Sequence, residues 1–89
     1  MKYIIFNSTE GPQVVLFCAP LTHRQEADAH PTWTPMSAGF LEFISPSAVR
    51  CFGRSDSLNL GCGYRDAGLI EAFARATMRL CATSSAVFA

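Results

Sequence analysis

Net charge is the first thing this sequence lacks. Seven basic residues cancel seven acidic ones, and only 16% of the 89 residues are charged, against roughly 25% in an ordinary soluble domain. That balance excludes a strongly basic DNA clamp. Long apolar runs are also missing. The longest, Val14 to Ala19 and Tyr3 to Phe6, are strand-sized, well short of the ~18 residues of a membrane span. The polar excess of disordered chains is absent as well, because 49% of the residues are hydrophobic and no net charge opposes collapse. The chain contains no Cys-x2-Cys and no Gly-x-Ser-x-Gly, so zinc-ribbon and hydrolase-elbow signatures are missing. Gly61-Cys62-Gly63 supplies two glycines of a dinucleotide loop, but Asp66 stands where the third belongs.

The size is that of one domain over residues 1–89. Twelve alanines and four cysteines leave 28 larger apolar side chains for a core. A chain of this length buries roughly two-thirds of its unfolded surface, enough to fold alone. The leading apolar run ends at Asn7, too short for a secretory signal, so a cytoplasmic location and reduced thiols are expected. Cys18, Cys51 and Cys81 sit among apolar residues and read as small hydrophobes. Cys62, between two glycines, reads as the exposed thiol.

The pattern along the chain predicts an α+β fold. Lys2–Ser8 and Gln13–Cys18 form a first antiparallel hairpin across Glu10-Gly11-Pro12. The second strand, apolar on both faces, reads as a central one. Thr22 with Gln25 three residues on is a capping box for a short helix over His23–Ala29. Pro31 and Pro35 keep the next segment irregular. Met36–Ile44 and Ala48–Arg54 form a second hairpin, and Ser57–Leu60 extends it or adds a short strand. Asp66 reads as the N-cap of a long helix whose apolar stripe carries Ile70, Phe73, Ala74, Thr77, Leu80 and Cys81. Glu71, Arg75 and Arg79 mark its solvent face. Residues 82–89 read as a loop and an apolar tail, disordered or docked as a strand. The expected architecture is a four-stranded antiparallel sheet of two hairpins with one long C-terminal helix on one face, in the order β-β-(short α)-β-β-α.

One helix covers one face of such a sheet, while the strands carry apolar residues on both. Either the Leu21–Pro35 segment with Trp33 covers the second face, or a second copy does. The expectation is a homodimer, with a different protein partner as the other possibility and no membrane.

The polar residues assemble into one candidate binding surface: Arg50, Phe52 and Arg54 on one strand face, Ser55 and Asp56 at the strand end, and Arg65 in the following loop. Arginine forks hold acidic groups. The leading expectation is a non-enzymatic protein-binding module that self-associates, without cofactor or metal. A first alternative is a single-strand nucleic-acid binder built on Arg50, Phe52 and Arg54. The C-terminal half does carry five arginines against three acids, though one aromatic makes a thin platform. A second alternative is a small enzyme using Cys62 or His23, with Asp56 completing a nucleophile–base set. The spacing Cys18-x4-His23-x6-His30 is too loose for zinc, and His23 reads as a surface residue. Ser37-Ala38-Gly39-Phe40, Cys51-Phe52-Gly53-Arg54-Ser55, Ser57-Leu58, Asp66 and Leu69-Ile70 together resemble small uncharacterised proteins of bacteria and their prophages, over residues 1–75. The resemblance implies a compact bacterial-type domain and assigns no functional residue.

Overall fold

A computed structural model describes the backbone of residues 1–84 and the side chains of residues 1–77. Six strands and two helices follow in the order β1 (Lys2–Ser8), β2 (Gly11–Phe17), α1 (His23–Ala29), β3 (Thr34–Ser45), β4 (Ala48–Phe52), β5 (Arg54–Ser55), β6 (Leu60–Gly61) and α2 (Asp66–Ser84). The fold is α+β. An antiparallel four-stranded sheet runs β2-β1-β3-β4, and β5 and β6 form a separate two-stranded ribbon. No helix among the described residues is long and apolar enough to cross a membrane.

The first strand, not the second, is central. Tyr3, Ile4, Ile5 and Phe6 are all buried, whereas Val14, Val15 and Leu16 of β2 are half-buried at the sheet edge. The apolar run of β2 thus reflects packing on two faces at a partly covered edge. The connection between β1 and β2 is tighter than expected. Pairing begins at Ser8↔Gly11, and Gly11 sits at φ +104, a conformation that L side chains avoid. Pro35, expected in a loop, lies inside β3 opposite Phe6, at a register shift between Ile5 and Phe6. A proline is tolerated there because the bulge relieves the ladder. Ile5 pairs with Ser37 and Phe6 with Pro35, so Met36 is the extra residue and is thrown outward.

Alternation along the strands builds two cores. On one face Tyr3, Ile5, Leu41 and Val49 pack with Ile70 of α2. On the other, Ile4, Phe6, Phe17 and Ala38 pack with Ala27 of α1 and are joined by Trp33, Leu58 and Leu60. Much of the second face is therefore covered within the chain, by α1, Trp33 and the β5–β6 ribbon, while the β3–β4 end keeps Phe52 and Ile44 exposed. The capping box of α1 is present: Gln25 N–H donates to Thr22 Oγ1 at 3.1 Å and Thr22 N–H to Gln25 Oε1 at 2.9 Å.

Several expectations on α2 need correction. The helix continues through Ser84, so residues 82–84 are helical and not loop. Residues 85–89, the remainder of the expected tail, and the side chains of Arg79, Leu80 and Cys81 lie outside the described residues. Phe73 on the supposed buried stripe is exposed. Glu71 is not merely a solvent-facing residue: its Oε2 accepts the backbone N–H of Val49 at 2.8 Å. A carboxylate on a β4 donor blunts that sheet edge against pairing with another strand.

Candidate functional site

Two places concentrate polar and aromatic groups; of the residues predicted from sequence, Arg50 and Phe52 stand in the first, Arg65 at the second, and Arg54, Ser55 and Asp56 in neither. The first is the α1 side of the β3–β4 hairpin. Phe40 pairs with Phe52 and Glu42 with Arg50, so all four side chains project from one face. The Phe40 and Phe52 rings stack at 6.0 Å, and the Arg50 guanidinium lies 4.9 Å above the Phe52 ring. Arg50 Nε donates to Glu42 Oε1 at 2.7 Å. The row continues inward through His23, edge-on to Phe40 at 5.7 Å and to Phe17 at 5.2 Å. Phe52 is 40% exposed, and Ile44 beyond the row is 67% exposed.

The structure does not bring Arg54 into this row. Gly53 takes φ +71, which ends β4 at Phe52 and turns Arg54 into the ribbon, where it bonds Asn59 Oδ1 at 2.6 Å and pairs with Asp56 at 3.4 Å. Ser55 is buried. Its Oγ accepts the Leu58 N–H at 3.3 Å and meets Ser57 Oγ at 3.4 Å, so it holds the turn. Asp56 is solvent-exposed at the turn. Arg65 lies elsewhere, at the start of α2.

The nucleophile–base set proposed from sequence is also dispersed. His23 is buried, not on the surface, and its Nε2 lies 3.0 Å from Gly39 O. A carbonyl only accepts, so that nitrogen carries the proton. A Cβ on Gly39 would point to the opposite face, 2.9 Å from Cys62 Sγ. Gly39 thus separates His23 from Cys62 across the sheet. Cys62 Sγ donates to Gly53 O at 3.3 Å. Cys62 is exposed as expected, but so is Cys18, which was expected to be buried. Among the described residues no group of three His, Cys, Asp or Glu is arranged to hold a metal.

The second place was not found from sequence, apart from Arg65. Asp66, 3% exposed, accepts three hydrogen bonds: Tyr3 Oη to Oδ2 at 2.6 Å, Gly63 N–H to Oδ2 at 2.8 Å, and Ser37 Oγ to Oδ1 at 2.8 Å. Asp66 is inside the helix, not at its N-cap, and ties α2 to β1, β3 and the preceding loop. Beside it opens a cleft of about 370 Å³ whose lining includes Ile5, Ser37, Asp66 and Leu69, with Met36, Tyr64 and Arg65 at the rim. The available signal was a phenol and a hydroxyl at apolar strand positions, Tyr3 and Ser37. Each needs a buried partner, and Asp66 is the carboxylate that serves both.

Burial pushes the Tyr3 phenol far above the usual tyrosine range, and its bond to Asp66 pushes it further. Burial also pushes the Cys51 thiol up. The unfolded chain releases the tyrosine proton near pH ~10 while the folded chain keeps it. Stability is therefore unaffected by Tyr3 below that pH and falls above it, by about 1.4 kcal/mol per pH unit. In a Tyr64→Phe background, where Tyr3 is the remaining tyrosine, phenolate absorbance at alkaline pH is expected to appear only with loss of native Trp33 fluorescence. A phenolate signal that grows while the native fluorescence persists would contradict the buried Tyr3–Asp66 bond.

Comparison of the chain with protein-family models, with curated proteins and with solved structures finds no match.

Proposed function

We propose that the chain is a non-enzymatic protein-binding module that self-associates through the Phe40–Phe52–Arg50–Glu42 face. The observation that carries this reading is the composition of the row. It sets a stacked aromatic pair beside an arginine and a glutamate on adjacent strands. A two-fold contact places the same patch on both copies, and a patch holding one cation and one anion is complementary to itself. The Arg50–Glu42 pair of each copy then lies against that of the other as a network of two cations and two anions, over a centre of Phe52 and Phe40. Aromatic residues and arginine are the side chains most enriched in interface centres. The need to cover an open sheet face no longer supports self-association, because α1, Trp33 and the ribbon cover much of it. The support comes from the row itself.

A nucleic-acid surface finds less support here. Arg50 is already paired with Glu42, and Arg54 faces Asn59 and Asp56. The free thiols at Cys18, Cys51 and Cys62 fit a reducing compartment, and we place the module in the cytoplasm as part of the same reading. The resemblance to small bacterial and prophage proteins carries no residue into it.

The test is a charge swap. Arg50→Glu puts two acids on each copy's face, and like charges across an interface cost several kcal/mol. That variant should sediment as a monomer, and so should Glu42→Arg. Mixing the two variants should restore a dimer, now heteromeric, because each supplies the charges the other needs. Failure of the mixture to associate, or persistence of either homodimer, would remove this face from the interface. A dimer that forms on single-stranded oligonucleotide alone and dissolves steeply with salt would favour the nucleic-acid reading.

A further inference from the structure

We infer that the cleft at the start of α2 binds a small amphipathic carboxylate, held by Arg65 at the rim and by the apolar wall beneath. The site is independent of the β3–β4 row. Its volume, about 370 Å³, falls in the roughly 300–1,000 Å³ range of small-molecule pockets. Ile5 and Leu69 give it an apolar wall. Two large apolar side chains at the rim face water: Tyr64 is 97% exposed and Met36 is 56% exposed. Burying apolar surface is the main driving force of association, so a ligand that lets Tyr64 and Met36 close over it gains contact that the empty cleft lacks.

The charge of the ligand follows from the two ionic groups present. Asp66 is buried with three donors already on its oxygens, so it offers little to a cation. Arg65 is exposed, and no carboxylate lies within ion-pair distance of it among the described residues. A guanidinium presents a planar fork that fits a carboxylate in two parallel bonds. Arg65 therefore sets the sign of the ligand, and the apolar wall sets its body. The Met36 bulge and the two-residue approach of Tyr64 and Arg65 to α2 place all three rim side chains around one opening.

The test uses three probes of equal size: phenylpropionate, phenylpropionamide and phenylpropylamine. Each is titrated into the intact chain and followed by backbone amide chemical shifts. Phenylpropionate is expected to shift the amides of Ser37, Gly63, Arg65 and Leu69, and to bind roughly tenfold tighter than the amide, the difference one charge-assisted pair supplies. In Arg65→Gln, whose exposed side chain leaves the free spectrum otherwise native, the acid should lose that advantage while the amide binds as before. Tyr64→Ala should weaken acid and amide alike. Equal binding of acid and amide would overturn the carboxylate assignment. Tighter binding of the amine would show that Asp66 and not Arg65 governs the site, which also overturns it. Shifts confined to the β3–β4 row, or none at millimolar probe, would remove the cleft as a ligand site, without bearing on self-association.

Discussion

Asp66→Ala is expected to destabilise the fold by about 3–5 kcal/mol, the cost of leaving several buried donors without their acceptor. The reason is the company the carboxylate keeps. Its removal orphans the Tyr3 hydroxyl, the Ser37 hydroxyl and the Gly63 N–H together, and each buried donor left unpaired costs about 1–3 kcal/mol. It also takes a negative charge from the first turn of α2, where the helix dipole favours one. A domain of this size has only ~5–15 kcal/mol in all, so the variant should sit near its unfolding threshold. Asp66→Asn should be much milder. The amide oxygen can stay opposite Tyr3 and Gly63, and the amide nitrogen can donate to Ser37, whose hydroxyl rotates to accept. Chemical denaturation of the three proteins checks the order. Equal losses for Ala and Asn would mean that charge, and not hydrogen bonding, is what the cluster requires.

Gly39→Ala is expected to cost about 1–3 kcal/mol as an overpacking change, which lowers Tm by roughly 4–8 °C per kcal/mol in a domain this small. A methyl there would lie 2.8 Å from the backbone oxygen of Phe52, 2.9 Å from Cys62 Sγ and 3.3 Å from Gly53 O. The sulfur can swing away, but the two carbonyls belong to the strand end that positions the β5–β6 ribbon and cannot. Cys62→Ala in the Gly39→Ala background should therefore recover only a minor part of the loss. Recovery of most of it would put the clash at the thiol and leave the ribbon approach uncrowded. By contrast, a Cβ on Gly68 in α2 meets nothing within 4 Å, so Gly68→Ala should be neutral or stabilising by helix propensity.

Local signals were legible where the physics is local. The α1 capping box needs only Thr22 and Gln25, and the structure has both of its hydrogen bonds. The strand runs of β1 and β3 and the helix that carries Ile70 also lie in their expected elements. Long-range facts were not legible. Strand order depends on which hairpin edge meets which, and nothing in the Val14–Phe17 run distinguishes a central strand from an edge packed on two faces. Alternation sets Arg54 beside Arg50 only while the strand continues; Gly53 at positive φ breaks it. His23 looked like a surface residue because its neighbours in sequence are polar, whereas its neighbours in space are Phe17, Phe40 and Gly39. The Tyr3–Ser37–Asp66 cluster joins residues up to 63 apart in the chain, beyond any periodicity argument. Of the predicted surface, Arg50 and Phe52 stand together, Arg54 and Asp56 pair across a turn, Ser55 is inside it, and Arg65 stands beside the cleft.

The central claim is self-association through one self-complementary face, and sedimentation velocity across the micromolar range tests it most directly. The wild-type chain should shift from monomer toward dimer as concentration rises. Phe52→Ala, which removes a ring 40% exposed at the centre of the row, should remain folded and monomeric, with Tm lowered by the loss of its stacking on Phe40. A wild-type chain that stays monomeric throughout, or a dimer that Phe52→Ala leaves intact, would contradict the account.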